Sequence, residues 1–127
     1  VPTRNPENPY DEYSYLGALR KAVLALRRKN PKLRIVLVTP TYTWYPARGM
    51  TCEEMDMGGG VLADYVEAMR EAAKELDLEV IDVYQDFLSH DHFRDWERYT
   101  KDGVHPNAET RGRLAGKIAE ALGLKDS

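Results

Sequence analysis

Cysteine is all but missing from this chain. Cys52 stands alone among 127 residues, so no disulfide can close within the chain and no zinc cage can be built from thiolates. Long apolar runs are missing too. None approaches the roughly 18 residues of a membrane-spanning helix, and no secretory apolar core follows the N-terminus. Positive charge is not in excess: the formal net charge is -3, which gives nucleic acid no electrostatic footprint. The basic run Arg27-Arg28-Lys29 falls at the end of an expected helix, where cations complement the helix dipole. There are no repeats and no low-complexity tracts. What is present is a 43% hydrophobic, 31% charged chain of the size of one domain. The lack of disulfides permits a cytoplasmic location.

Helical and strand periodicities alternate along the chain. After the polar lead "VPTRNPENPYDE", a helix is expected from Asp11 as N-cap, with Leu16, Leu19, Val23 and Leu26 on one stripe and Asn30-Pro31 as its stop. Ile35 to Val38 form an uninterrupted, largely β-branched run, as in a strand buried on both faces of a parallel sheet. Residues 40 to 60 lack periodicity, and a loop of that length in a compact domain usually has a task. A second helix runs from Val61 to about Leu76, with Leu62, Tyr65, Val66, Met69, Ala73 and Leu76 inward. A short strand around Glu79 to Val83 follows, then an irregular stretch to Pro106. The last helix opens at Asn107, buries Leu114, Ile118 and Leu122, and ends at Gly123 as the C′ residue. The order argues an α/β fold with parallel strands and right-handed crossovers.

Two strands are too few for such a sheet. Three helices around them leave a strand edge open, so further strands are expected upstream of Val1. The start at Val1 rather than Met is compatible with a processed end or a cleavage site.

The stretch most suggestive of chemistry is Asp102-Gly103-Val104-His105-Pro106, just before the last helix. A histidine that takes a proton from a hydroxyl needs its other ring nitrogen held by an acceptor, which fixes the tautomer and stabilises the imidazolium. An aspartate three residues earlier on the same loop can supply that acceptor. Gly103 permits the sharp turn between them and Pro106 stiffens the exit. Loops at the carboxyl ends of strands form the ligand crevice in open α/β sheets. The competing reading is an ordinary Asx turn leading into a helix cap.

"DGVHPN" followed by an amphipathic helix resembles the last block of the SGNH (GDSL-type) hydrolases, esterases and acylhydrolases of a flavodoxin-like, three-layer α/β/α fold with a parallel sheet. "YLGALRKAVLALRRKNPKLRIVLVTP" and "LADYVEAMREAAKELDLEVIDVY" resemble that family's preceding helix–strand units, so the likeness extends from about Tyr10 onward. The resemblance implies that residues 1–127 are the C-terminal part of one such domain. It also implies ester hydrolysis through a Ser-His-Asp triad, with Asp102 as the acid, His105 as the base and no metal or organic cofactor. The family's Gly-Asp-Ser block and its later Gly and Asn blocks, which supply the nucleophile and oxyanion donors, have no counterpart here. The serines are Ser14, Ser89 and Ser127, and none has the family's flanks. The nucleophile is therefore expected on an N-terminal segment of the same protein, acting as partner to this chain. The alternatives are a truncated, non-catalytic binding or assembly module, or self-association through the open sheet edge. The substrate implied is a small ester, with neither nucleic acid nor membrane as a partner.

Tyr42, Trp44 and Tyr45 follow the first strand and are candidates to line a substrate pocket; the alternative is that they cover the core edge or a dimer contact. Trp96 and Tyr99 suit packing of the loop ahead of the acid–base pair. His90 and His92 alternate with Asp91, but without a third ligand a solvated loop is the plainer reading. Cys52, next to Glu53 and Glu54, lacks the surroundings that favour a thiolate. Gly58 to Gly60, with no strand before them and no lysine near, suit a turn more than a phosphate loop.

Overall fold

The computed structural model describes residues 1–85 and 87–124. Its elements are α1 (Tyr15–Lys29), β1 (Val36–Val38), β2 (Trp44–Tyr45), β3 (Met50–Thr51), α2 (Leu62–Leu76), β4 (Glu79–Ile81), α3 (Trp96–Tyr99) and α4 (Ala108–Ala121). Short 3-10 turns at Pro46–Arg48 and His90–Asp95 complete the order. β1 and β4 pair in parallel, with Val36 opposite Glu79, Leu37 opposite Val80 and Val38 opposite Ile81. The fold is therefore α/β, with α2 as the crossover. Among the described residues no helix is long and apolar enough to cross a membrane.

α1 starts three residues later than expected. Ser14, not Asp11, is the N-cap: its hydroxyl accepts from the Gly17 N–H at 3.1 Å and donates to the Asp11 carbonyl at 2.8 Å. Asp11 instead closes the turn ahead of the helix, accepting from the Tyr13 N–H and the Asn5 amide. Gly17 has no room for a side chain there, because a Cβ would lie 2.0 Å from the Asp11 oxygen. α1 and α2 pack through Leu16 against Ala68 and Ala72, small residues that let the helices approach closely. Gly58 to Gly60 form a bend, across which the Met57 N–H donates to the Gly60 carbonyl at 2.7 Å. Asp64 caps the Val61 N–H at 2.8 Å, and a Cβ at Gly60 would collide with that carboxylate. At the far end of the chain, Gly123 at φ 76 closes α4. Its N–H donates to the Glu120 carbonyl and that of Leu124 to the Ala119 carbonyl, a Schellman closure.

Leu26, expected on the core-facing stripe of α1, is 44% exposed, and two further expectations of burial need correction. β1 is half-covered rather than buried on both faces, and Val38 is 38% exposed. On α4 only Thr110 is buried, while Leu114, Ile118 and Leu122 remain half-exposed. The physical reason is common to both. Among the described residues the parallel sheet has two strands, so no third strand covers the outer apolar surface.

The dry core lies elsewhere. It gathers around Trp44, Cys52, Val66 and Leu88, with Tyr42 and Leu62. The region from 40 to 60 is organised by β2 and β3, an antiparallel pair with Trp44 opposite Thr51 and Tyr45 opposite Met50. Gly49, at φ 63, makes the reversal.

At the carboxyl end of the parallel pair, Asp82 accepts from Arg70 Nε at 3.0 Å and from the backbone N–H groups of Tyr84 and Gln85. Burial pushes its carboxyl up, but those donors prevail and its pKa ends below the usual 3.8.

Candidate active site

The loop between α3 and α4 is held from both sides before any functional group is considered. Thr100 and Pro106 form an isolated antiparallel bridge, and the Lys101 N–H donates to the His105 carbonyl at 2.9 Å. Thr100 is buried; its hydroxyl donates to the Trp96 carbonyl at 3.0 Å and accepts from the Gly103 N–H at 2.8 Å. Asn107 caps α4 by accepting from the Thr110 N–H at 2.9 Å, while its amide donates to the Arg98 carbonyl. The loop is also clasped to β2, because the Trp44 N–H donates to the Gly103 carbonyl at 2.8 Å. Gly103 sits at φ 95, with its missing Cβ 2.4 Å from the Trp44 oxygen and 2.6 Å from Pro46 Cδ. Only glycine meets both the conformation and the close approach.

On that frame Asp102 and His105 come together. Asp102 Oδ2 lies 2.6 Å from His105 Nδ1, while Oδ1 accepts the backbone N–H groups of Val104 and His105 at 2.9 and 2.8 Å. The backbone and ring hydrogen bonds from His105, followed by that from Val104, pull the Asp102 carboxyl down to about 2. The group is therefore a carboxylate throughout the neutral range. Facing it, Nδ1 must carry the hydrogen, which leaves the lone pair on Nε2. The His105 side chain is 74% exposed and that of Asp102 53%, so Nε2 is accessible to an incoming hydroxyl. Among the described residues no hydroxyl or thiol is hydrogen-bonded to it. Ser14 is buried as a helix cap, and Ser89 faces its own neighbour, His92, at 3.2 Å. Ser127 lies outside the described residues. Cys52 is fully buried, and burial pushes its thiol pKa up, which opposes a thiolate.

The three aromatic candidates part company. Trp44 is 0% and Tyr42 5% exposed, so both are core residues without surface to offer a substrate. Additional chain could only bury them further. Tyr42 donates to Glu53 Oε2 at 2.7 Å. Tyr45 alone reaches the surface, where it lines a groove of about 530 Å³ with Pro46, Ala47, Arg48, Trp96, Lys101 and Asp102. Sequence reasoning missed this groove and the Thr100 and Gly103 anchors. Paired short β-prone segments flanking Pro46 and Gly49 were the available hairpin signal. His90 and His92 belong to a 3-10 turn, and among the described residues no cluster of three metal-ligating side chains occurs.

Residues 2–111 match the model of the GDSL-like lipase/acylhydrolase family. Among curated proteins no sequence match was found. Among solved structures, a Lactobacillus plantarum protein superposes with a TM-score of 0.80 at 17% identity, over 96% of this chain and 59% of its own. A possible lipase from Chitinophaga pinensis superposes at 0.68 with 16% identity, over 98% and 68%. Another structure reaches 0.82 at 26% identity, over 97% of this chain and 57% of its own. The chain thus spans less than three-fifths of the length of two of these structures. A match across most of the sequence, on the same α/β frame, carries the assignment: the chain belongs to the GDSL-like lipase/acylhydrolase family.

Proposed function

We propose that this chain is the C-terminal part of an ester hydrolase, and that it supplies the acid and base of a Ser-His-Asp triad. The nucleophile and oxyanion donors come from an N-terminal segment of the same protein. One observation carries the reading: a carboxylate at 2.6 Å from Nδ1 of an exposed histidine, with Nε2 left free. The family assignment supports the reaction class. Serine Oγ attacks the ester carbonyl as its proton passes to His105 Nε2. The imidazolium returns that proton to the leaving alcohol and an acyl-serine forms. Water, deprotonated by the same nitrogen, then attacks the acyl-serine; the imidazolium returns the proton to serine Oγ as the acyl–oxygen bond breaks and the acid leaves. Asp102 stays ionised, orienting the ring and stabilising its charge. Handing the acyl group to an alcohol instead of water needs no further residue, and a structural neighbour of this chain is a salicylyl-acyltransferase.

The exposed apolar surface of β1 and α4 supports a further segment packing there. A second copy of the chain is the competing occupant, and with no nucleophile it would make this a non-catalytic assembly module. Intact-mass analysis and size-exclusion chromatography distinguish the two. If the 127-residue chain is joined by a segment bearing Gly-Asp-Ser, p-nitrophenyl acetate turns over above buffer and His105→Ala abolishes it. Turnover that survives His105→Ala refutes the assignment of the base. A self-paired chain with no turnover in the presence of that segment refutes the hydrolase.

A further inference from the structure

Beside the Asp102–His105 pair lies a groove whose walls and rim differ in chemistry. Tyr45 and Trp96 form flat walls, and both pack from behind on the buried cluster around Trp44, so their rings are backed by dry core. Arg48 and Lys101 line the same groove and are exposed. Among the described residues neither takes part in an ion pair, and the side-chain contact Arg48 makes is with the thioether of Met55 at 3.9 Å. The acidic residue in the lining, Asp102, is engaged by two backbone N–H groups and the His105 ring.

We propose that this groove selects an anionic ester, with a flat group against Tyr45 and Trp96 and a carboxylate at Arg48 and Lys101. The inference rests on the hydrolase reading for its use of the word ester, and it adds the substrate class. Guanidinium and ammonium groups with no carboxylate partner among the described residues keep most of their donors for a ligand, and a guanidinium matches a carboxylate in two parallel hydrogen bonds. Aromatic walls bind a flat body through area and ring contacts. Two cations at one rim also steer an anion toward the acid–base pair, an attraction that salt weakens.

The test reads binding on the 127-residue chain and needs no nucleophile. Trp44 is fully buried and Trp96 lines the groove, so ligand quenching of indole fluorescence reports Trp96. Monobenzyl succinate is the anionic probe and benzyl methyl succinate its neutral twin. Monobenzyl succinate is expected to bind at least about tenfold more tightly at low salt, the effect of one charge-assisted contact. The double variant Arg48→Gln/Lys101→Gln, with circular dichroism matching the parent, should bring its Kd to that of the neutral diester. Trp96→Phe should remove the signal. Equal affinity for the two probes, failure of the anion to bind, an anion preference that survives the double variant, or a signal that survives Trp96→Phe would each overturn the proposal. Such a failure leaves the hydrolase reading to its own turnover assay. A protein that binds the anion yet never turns over any ester would sink that reading and spare this one.

Discussion

Two histidines in this molecule stand three residues after a polar side chain that touches their Nδ1, and they are set up oppositely. At Ser89–His92 the partner is a backbone N–H, 3.1 Å from Nδ1, which can only donate. His92 Nδ1 must therefore accept, and its hydrogen resides on Nε2. The ring stands edge-on to Tyr99, 4.9 Å between centroids, and is half-buried. At Asp102–His105 the partner is a carboxylate, which can only accept, so the hydrogen sits on Nδ1 and Nε2 is the open lone pair. The same spacing thus yields a capping side chain in one place and a candidate base in the other. Whether the group facing Nδ1 is a donor or an acceptor decides, not the interval.

The strongest way to break the comparison is through turnover in the protein assembled with its serine-bearing segment. His105→Ala and Asp102→Asn are each expected to lower kcat by about 10³- to 10⁴-fold, the second by favouring the wrong tautomer. His92→Ala should leave kcat within about twofold; a comparable loss there would erase the distinction. Next in size is Gly103→Ala. A positive φ and a Cβ 2.4 Å from the Trp44 oxygen should cost about 3 kcal/mol, read by urea unfolding. A loss below about 1 kcal/mol would mean that the clasp to β2 does not hold the loop. Ser89→Ala should cost about 1 kcal/mol or less, because the backbone donor to His92 remains.

The finest test is a titration. The Asp102 carboxyl, followed by its 13C shift, should move near pH 2 rather than near 3.8. Its folded pKa is lowered, so the associated stabilisation is complete above the unfolded value and is lost as pH falls through the folded one. In His105→Ala the ring hydrogen bond disappears while the N–H groups of residues 104 and 105 remain. The midpoint should then rise part of the way back, and an unchanged midpoint would remove the ring as a partner.

Much of this was legible in sequence because the signals were local. Asn107 reads as a cap and Gly123 as a C′ residue, and both roles need only a few neighbours. On α2, Leu62, Tyr65, Val66 and Ala73 are buried as the period implies, while Met69 and Leu76 are half-buried. The α1 boundary was displaced because Asp11 and Ser14 are both good caps, and only the lead residues decide between them: Pro2 and Thr3 carbonyls accept the N–H groups of Tyr15 and Leu16. β1 and α4 looked fully buried because apolar pattern records what a surface is suited to cover, not what covers it in this chain. The burial of Tyr42 and Trp44 was not legible for a related reason. Aromatics after a strand read alike whether they face a ligand or a core, and a two-residue pairing with β3 lies below any periodicity. The groove rim was invisible, since Arg48 and Lys101 are 53 positions apart and meet only through the clasp.

That clasp has a wider consequence. Trp44, Thr100 and Gly103 secure the acid–base loop with bonds made wholly inside this chain, so the seat of the imidazole is a self-contained cartridge. In the proposed hydrolase, evolution or a protein engineer could exchange the serine-bearing segment while leaving this loop as it is.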